Sequence, residues 1–387
     1  MNARPQLLEE AIFDEDDPGR RGESHGERWR SAIHELAAIR QDLLLRRGPL
    51  RSAAEVDRLA HLHLGVLERD LPDLHAELVG IARGAAITPE AIVVLNHYTD
   101  LRDLPRSLVA DADTDGPAPP APAAVDEGGC TAIYIPGRDA PVLGQTWDMH
   151  ASAAPFVRLL RIRPRSGDRE VLCFTLVGCL GMCGVNERGV AVTINNLTCT
   201  DGQVGIVWPA QVRALLDEGT AGAARARLMA ARVGGGRHFM IADGRDFFGI
   251  ECSGRAKILT QTGAGGAHLH TNHCFDPVLR RVEAVARTST TFRRFELATS
   301  LFVMRPPRDA RALWELLCSH EGHPRSLCSH VAEAEGDASR SETCGRMVMD
   351  LGRGEVLAAA GCGLVNPAQP FHLERWRGDA ERTSDAT

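Results

Sequence analysis

Apolar residues recur every three or four positions through RWRSAIHELAAIRQDLLL (28–45) and AAEVDRLAHLHLGVLERDL (53–71), the spacing of one face of an α-helix. TPEAIVVLNHYTDL (88–101) adds a helix capped by Thr88, with Pro89 in its first turn. Helical patterning therefore runs from about Gly22 to Asp100, and the acidic first twenty residues are expected to fray. Beyond residue 130 the period shortens. CTAIYI, PVLGQTWD, FVRLLRIRP, EVLCFTLVG and GVAVTINNL are β-branched or alternating runs separated by Gly, Pro and charged turns. Helical stretches follow at 208–219 and 220–233, strands at 237–243, 246–252 and 256–261, helices at about 290–303 and 309–318, and strands again at 345–361. Strands in a meander, then helices, then strands predict stacked layers with antiparallel sheets rather than a βαβ repeat.

The two textures meet at a Pro/Ala-rich tract, residues 111–129, which ends in Gly128-Gly129 before Cys130. The 387 residues carry 51 acidic and 44 basic side chains, a formal charge of −7. That balance argues against a general nucleic-acid binder. No run approaches the ~18 apolar residues of a membrane span, and the N-terminus lacks the basic start and apolar run of a signal peptide. Eleven cysteines, an odd number in a chain of this size, predict free thiols in a soluble, cytoplasmic protein.

Cys130 stands out among them. A cysteine at a strand start is ordinarily packed. A mid-chain cysteine also becomes a nucleophile if the bond before it is cut, because the new N-terminus then offers a thiol and an α-amine that serves as base. Gly129 has no Cβ to obstruct attack on its carbonyl, and the loose tract lets the cut end leave. The hairpin from Cys130 to GQTWD brings Asp148 back beside it, either as the acid that orients the amine or as a plain strand-end carboxylate.

Six motifs in order extend this pattern: GESHG at 22–26, TPEAIVVLN, GCTA with GQTWD, GVNERGVAVTINNL, HTNH at 270–273 and SR at 339–340. Together they resemble the acyl-coenzyme A:isopenicillin N acyltransferase family of N-terminal-nucleophile hydrolases, over most of the chain. The resemblance implies an α+β, four-layer αββα fold. It implies that residues 1–129 are a helical propeptide or small subunit retained after a cut at Gly129–Cys130, and that 130–387 are the catalytic large subunit. By the same resemblance Cys130 is the nucleophile, Asp148 orients its amine and thiol, and Asn272 supplies an oxyanion-hole N–H. Asn195, or Asn196 one position on, lies near that hole. Arg340, accompanied by Ser339, is the arginine beside the thiol, with Arg293 and Arg346 on competing segments. The implied reaction passes an acyl group from a small-molecule amide or thioester, acyl-coenzyme A among the candidates, to water or an amine, with no other cofactor. Hydrolysis and transfer share the same catalytic groups, and the penicillin substrate is not assumed.

Other constellations compete. CSHEGHPRSLCSH at 318–330 has zinc-ligand residue types, but its spacing is irregular and contains no C-x-x-C pair, so no metal is expected. A zinc-dependent protein using that loop, or an inactive relative that only binds, are the alternatives. His268, His270 and His273 are expected to wall the pocket around Asn272; Trp147 and Trp208 either join that wall or pack in the core.

Overall fold

The computed structural model describes residues 6–105, 108, 129–167, 169–287, 289–330 and 341–377. The N-terminal region builds helices α1 (Pro18–Arg28), α2 (Arg30–Arg47), α3 (Ala53–Asp70), α4 (Pro72–Ala85) and α5 (Pro89–Arg102). Asp17, Ser52 and Thr88 cap α1, α3 and α5 by accepting the backbone N–H three residues on. Proline occupies the first turn of α1, α4 and α5, where its missing N–H has no partner to lose. GESHG serves backbone contact between α1 and α4. A Cβ on Gly22 would lie 2.0 Å from Glu77 O, and one on Gly26 2.2 Å from Ile81 O.

The acidic N-terminus differs from the frayed expectation. Glu10–Phe13 form strand β1, which buries Ala11 and Phe13 and pairs parallel with β4 (Val157–Ile162). Phe13 also stacks on His25, with ring centroids 5.4 Å apart.

Two sheets make the centre. The first has eight strands in the order β1, β4, β5 (Val171–Leu176), β6 (Cys183–Asn186), β7 (Ala191–Asn196), β8 (Arg237–Ala242), β9 (Phe247–Cys252), β10 (Lys257–Thr262). The second has six: β11 (His268–His270), β2 (Ala132–Ile135), β3 (Val142–His150), β12 (Ser341–Asp350), β13 (Glu355–Ala360) and β14 (Gln369–His372). Every pairing except β1–β4 is antiparallel. The Gly-x-Asn-x-x-Gly motif closes the β6–β7 turn: Asn186 Oδ1 accepts from Arg188 N and Val190 N, and Gly189 takes φ +86°.

The sheets face each other through side chains such as Tyr134 on Phe247 (4.4 Å) and Trp147 on Phe174 (6.2 Å). Helices α6 (Trp208–Leu216) and α7 (Ala221–Ala230) lie on the eight-stranded sheet. Helices α8 (Thr291–Met304) and α9 (Ala310–Leu317) cover the six-stranded one, burying Leu301, Leu313 and Leu317 with Ile133, Val142 and Val348. The result is the four-layer αββα arrangement. Strands buried on both faces explain the near-continuous apolar runs.

The N-terminal helices share one apolar core with the eight-stranded sheet. Buried polar contacts tie the two regions as well. Glu77 on α4 takes Arg21 of α1 at 2.8 Å and Arg213 of α6 at 2.9 Å. Arg237 pairs with Asp100, and His25 Nε2 accepts Gly178 N–H at 2.8 Å. Among the described residues no single helix is long and apolar enough to cross a membrane.

Candidate active site

The β2–β3 hairpin places Cys130. Thr146 N–H donates to Thr131 O at 3.0 Å, and Asp148 N–H to Gly129 O at 2.7 Å. The hairpin therefore returns Asp148 to the Gly129–Cys130 bond, as the sequence spacing predicts. On its other side β2 pairs with β11, so the chain leaving His270 delivers Asn272 to the same place. Asn195 comes from β7 in the facing sheet, and Arg294 from the first turn of α8.

These groups converge on Cys130, which is 3% exposed. Its backbone N–H donates to Asn272 Oδ1 at 2.8 Å. Its carbonyl oxygen accepts Asn195 Nδ2 at 2.9 Å and Arg294 Nη1 at 3.0 Å. Arg294 Nη2 also donates to Asn272 Oδ1 at 2.8 Å. A guanidinium only donates, so the Asn272 amide must turn its oxygen toward Cys130. Its Nδ2 then donates to Asn196 O at 3.0 Å. The resemblance implies an oxyanion donor at Asn272; in this uncut chain the side chain acts on Cys130 as an acceptor instead. A Cβ on Gly129 would sit 1.9 Å from Arg294 Nη2 and 2.6 Å from Asn272 Oδ1, so any larger residue there must displace the guanidinium and the amide.

Asn195 is held from behind. Its Oδ1 accepts His238 Nδ1–H at 3.1 Å, and the His238 ring stacks on His270 at 3.6 Å. His270 Nε2 pairs with Glu251 Oε1 at 2.9 Å. Burial, then His270, holds His238 well below the usual histidine range, so it stays a neutral, single-tautomer donor. Of the three histidines expected to wall the pocket, His270 therefore supports Asn195, His268 stacks on Phe247 at 4.2 Å and His273 Nδ1 lies 3.2 Å from Thr291 Oγ1.

Asp148 is buried, and its Oδ1 accepts Thr343 Oγ1–H at 2.7 Å. Burial, with the Asp148 carboxylate next, pushes the Cys130 thiol up to about 12; Arg294 and the Asp148 N–H pull the other way. The thiol is therefore protonated at neutral pH and needs a base before it can attack.

Ser339 and Arg340 lie outside the described residues. Among the described residues the arginine on Cys130 is Arg294, a position the sequence motifs do not single out. Arg293 is exposed beside Gly322, and Arg346 donates to Cys318, Cys328 and Gly361 O. Helical spacing carried the missing signal: Arg294 shares its buried face with Thr291, Ala298 and Leu301. Asn196 turns its side chain away, to Arg237 at 2.9 Å. Trp147 is buried in the core.

A family profile, acyl-coenzyme A:6-aminopenicillanic acid acyl-transferase, matches residues 136–333. That span starts just after Cys130 and contains Asp148, Asn195, Asn272 and Arg294. The 40 kDa form of acyl-coenzyme A:6-aminopenicillanic-acid-acyltransferase from Emericella nidulans is 24% identical over 306 residues, 78% of each chain. Among solved structures, a mutant conjugated bile acid hydrolase from Clostridium perfringens is 12% identical, with a TM-score of 0.44 over 65% of this chain and 94% of that one. Penicillin V acylase from Agrobacterium tumefaciens is 13% identical, with a TM-score of 0.37 over 64% and 88%.

Proposed function

This chain belongs to the acyl-coenzyme A:6-aminopenicillanic acid acyl-transferase family, and on that premise we propose that it cuts its own Gly129–Cys130 bond and then works as a cysteine acyltransferase or amidohydrolase. The observation that carries the reading is the Gly129 carbonyl, held by Asp148 N–H at 2.7 Å beside a buried Cys130. In the cut, the Cys130 sulfur attacks the Gly129 carbonyl carbon while the Asp148 carboxylate takes the thiol proton. Charge developing on Gly129 O falls on the N–H already bonded to it. The C–N bond breaks, Asp148 returns the proton to the departing nitrogen, and a thioester joins Gly129 to the Cys130 sulfur. Water hydrolyses it, leaving a Gly129 carboxylate and a free Cys130.

The freed α-amine changes the chemistry of the thiol. Its ordinary pKa is ~7.7–8, so near neutral pH it can take the proton that a thiol at about 12 does not release unaided. Asn272 Oδ1 already accepts from this nitrogen and orients it. The thiolate then attacks an amide or thioester carbonyl and forms an acyl-cysteine. The leaving amine or thiol takes a proton from the ammonium, and water or an acceptor amine releases the acyl group. The substrate class is a small-molecule acyl amide or acyl thioester such as an acyl-coenzyme A. Residues 1–129 remain attached through Glu77, Asp100 and β1.

Intact mass spectrometry of the wild type and Cys130→Ala tests this reading. The wild type should yield a fragment beginning at Cys130, and the variant a single uncut chain. A wild type that stays whole while turning over acyl-coenzyme A and amine acceptors overturns the maturation route.

A further inference from the structure

Away from Cys130, four side chains bring their ligand atoms within 4.8 Å of one another: His320, Cys328, His330 and Cys362. Three come from the loop after α9 and the fourth from the turn after β13. His320 Nε2 lies 2.9 Å from His330 Nε2, Cys362 Sγ 3.4 Å from His320 Nε2, and Cys328 Sγ 3.7 Å from His330 Nε2. Zn–N bonds of ~2.05 Å and Zn–S bonds of ~2.3 Å give a tetrahedron with edges of roughly 3.3 Å between nitrogens and ~3.5 Å between nitrogen and sulfur. These three of the six separations fit those edges within a few tenths of an ångström, and all six lie within 4.8 Å.

Hydrogen-bond donors face both sulfurs. Arg346 Nη2 donates to Cys328 Sγ at 3.1 Å, and the backbone of Gly363 donates to the same sulfur. The Leu364 N–H faces Cys362 Sγ. Such donors around sulfur are the outer shell that orients metal ligands. Cys318 and His323 stay out of the group: Cys318 binds Arg346 Nη1 at 3.0 Å. The 318–330 loop alone has irregular spacing because it supplies only three ligands. Cys362, far along the chain, completes the set.

We propose that His320, Cys328, His330 and Cys362 bind one zinc ion as a structural site that fastens the 318–330 loop to the end of β13 and holds Thr343 on Asp148. Two thiolates and two imidazoles suit a tetrahedral, borderline-soft ion. Four protein ligands leave no open position, so the ion takes no part in the chemistry at Cys130. Binding displaces the two thiol protons and leaves a neutral centre. The link to the active site is short. Ser329, between two of the ligands, donates its N–H to Thr343 Oγ1 at 2.8 Å, and that hydroxyl donates to Asp148 Oδ1 at 2.7 Å.

The test is elemental analysis of purified protein after dialysis against metal-free buffer, with cobalt substitution followed by visible absorption. The expected result is about one zinc per chain and the intense bands of tetrahedral thiolate-bound cobalt. His320→Ala and Cys362→Ser should lose the metal, Cys318→Ser should keep it, and uncut Cys130→Ala should bind as the wild type does, which separates this proposal from the maturation route. Should either ligand variant fail to fold, the stoichiometry of wild type stripped with a chelator and reloaded with zinc decides. A wild type that takes up no zinc, a Cys328–Cys362 disulfide in the native protein, or loss of metal in Cys318→Ser overturns the assignment.

Discussion

Arg294 Nη2 and the Cys130 backbone N–H meet on one atom, Asn272 Oδ1, each at 2.8 Å. The guanidinium thereby fixes which end of the Asn272 amide faces the Cys130 nitrogen, the new N-terminus on the proposed route. Its other arm reaches Cys130 O and Thr131 Oγ1. Arg294→Ala removes both constraints, and cleavage and turnover should each slow by about 10²-fold or more. Arg294→Lys offers a point charge that cannot span both acceptors, so it should rescue only in part. A time course of fragment appearance by mass spectrometry checks this; an unchanged rate would refute the assigned position of Arg294.

Gly129→Ala should accumulate as the uncut chain. The added Cβ meets Arg294 Nη2 at 1.9 Å and Asn272 Oδ1 at 2.6 Å, displacing the groups that hold Cys130. Gly265→Ala is the control, since a Cβ there has no neighbour within 4 Å. Gel electrophoresis after equal incubation should show full-length chain for the first variant and normal fragments for the second.

On the proposed route Glu77, which pairs with Arg21 and Arg213, helps to hold the two pieces together. Burial pushes its carboxyl up, yet Arg213 and Arg21 outweigh burial and hold it down at about 2. Glu77→Ala leaves two buried guanidinium groups without their carboxylate, which costs ~3–5 kcal/mol when a buried pair is broken this way. Cleaved wild type should elute from gel filtration as one species. The variant should release the helical piece or melt at a markedly lower temperature, and co-elution with an unchanged melting point would contradict this role.

Stability should fall on mild acidification. Burial is the largest cause lowering His25 to about 4, and His63 and His97 to about 3. These folded values lie below the unfolded ~6.5, so the unfolded chain binds more protons as the pH drops. Their stability contribution is complete above about pH 6.5 and declines as pH falls toward 4 and then 3, each histidine adding up to ~1.4 kcal/mol per pH unit. Glu77 adds a further loss from roughly 4.3 down to about 2. Thermal melts between pH 8 and 4 should be flat at first and then steep. His25→Gln, which can still accept Gly178 N–H, should flatten the slope; an unchanged slope would remove His25 from this account.

Much of the layered fold and part of the site were legible in the sequence, for separable reasons. Cys130, Asp148, Asn195 and Asn272 sit in glycine-marked hairpins and strand ends, where spacing along the chain translates into position. Arg294 was obscured by its neighbour Arg293; only the helical face separates the buried guanidinium from the exposed one. Strand β1 lay in an acidic stretch, and its two buried residues, Ala11 and Phe13, are too few to reveal a partner as distant as β4. Cys362 was illegible beside the loop it completes, because only the β12–β13 hairpin returns it there.

The neighbours of Cys130 come from afar in the chain: Asn195 from 65 positions away, Asn272 from 142 and Arg294 from 164. An unfolded or wrongly paired chain assembles none of them. On the proposed route the break at Gly129 is therefore a seal of inspection, and the fraction of cut molecules counts how many chains passed through the correct topology before any substrate was met.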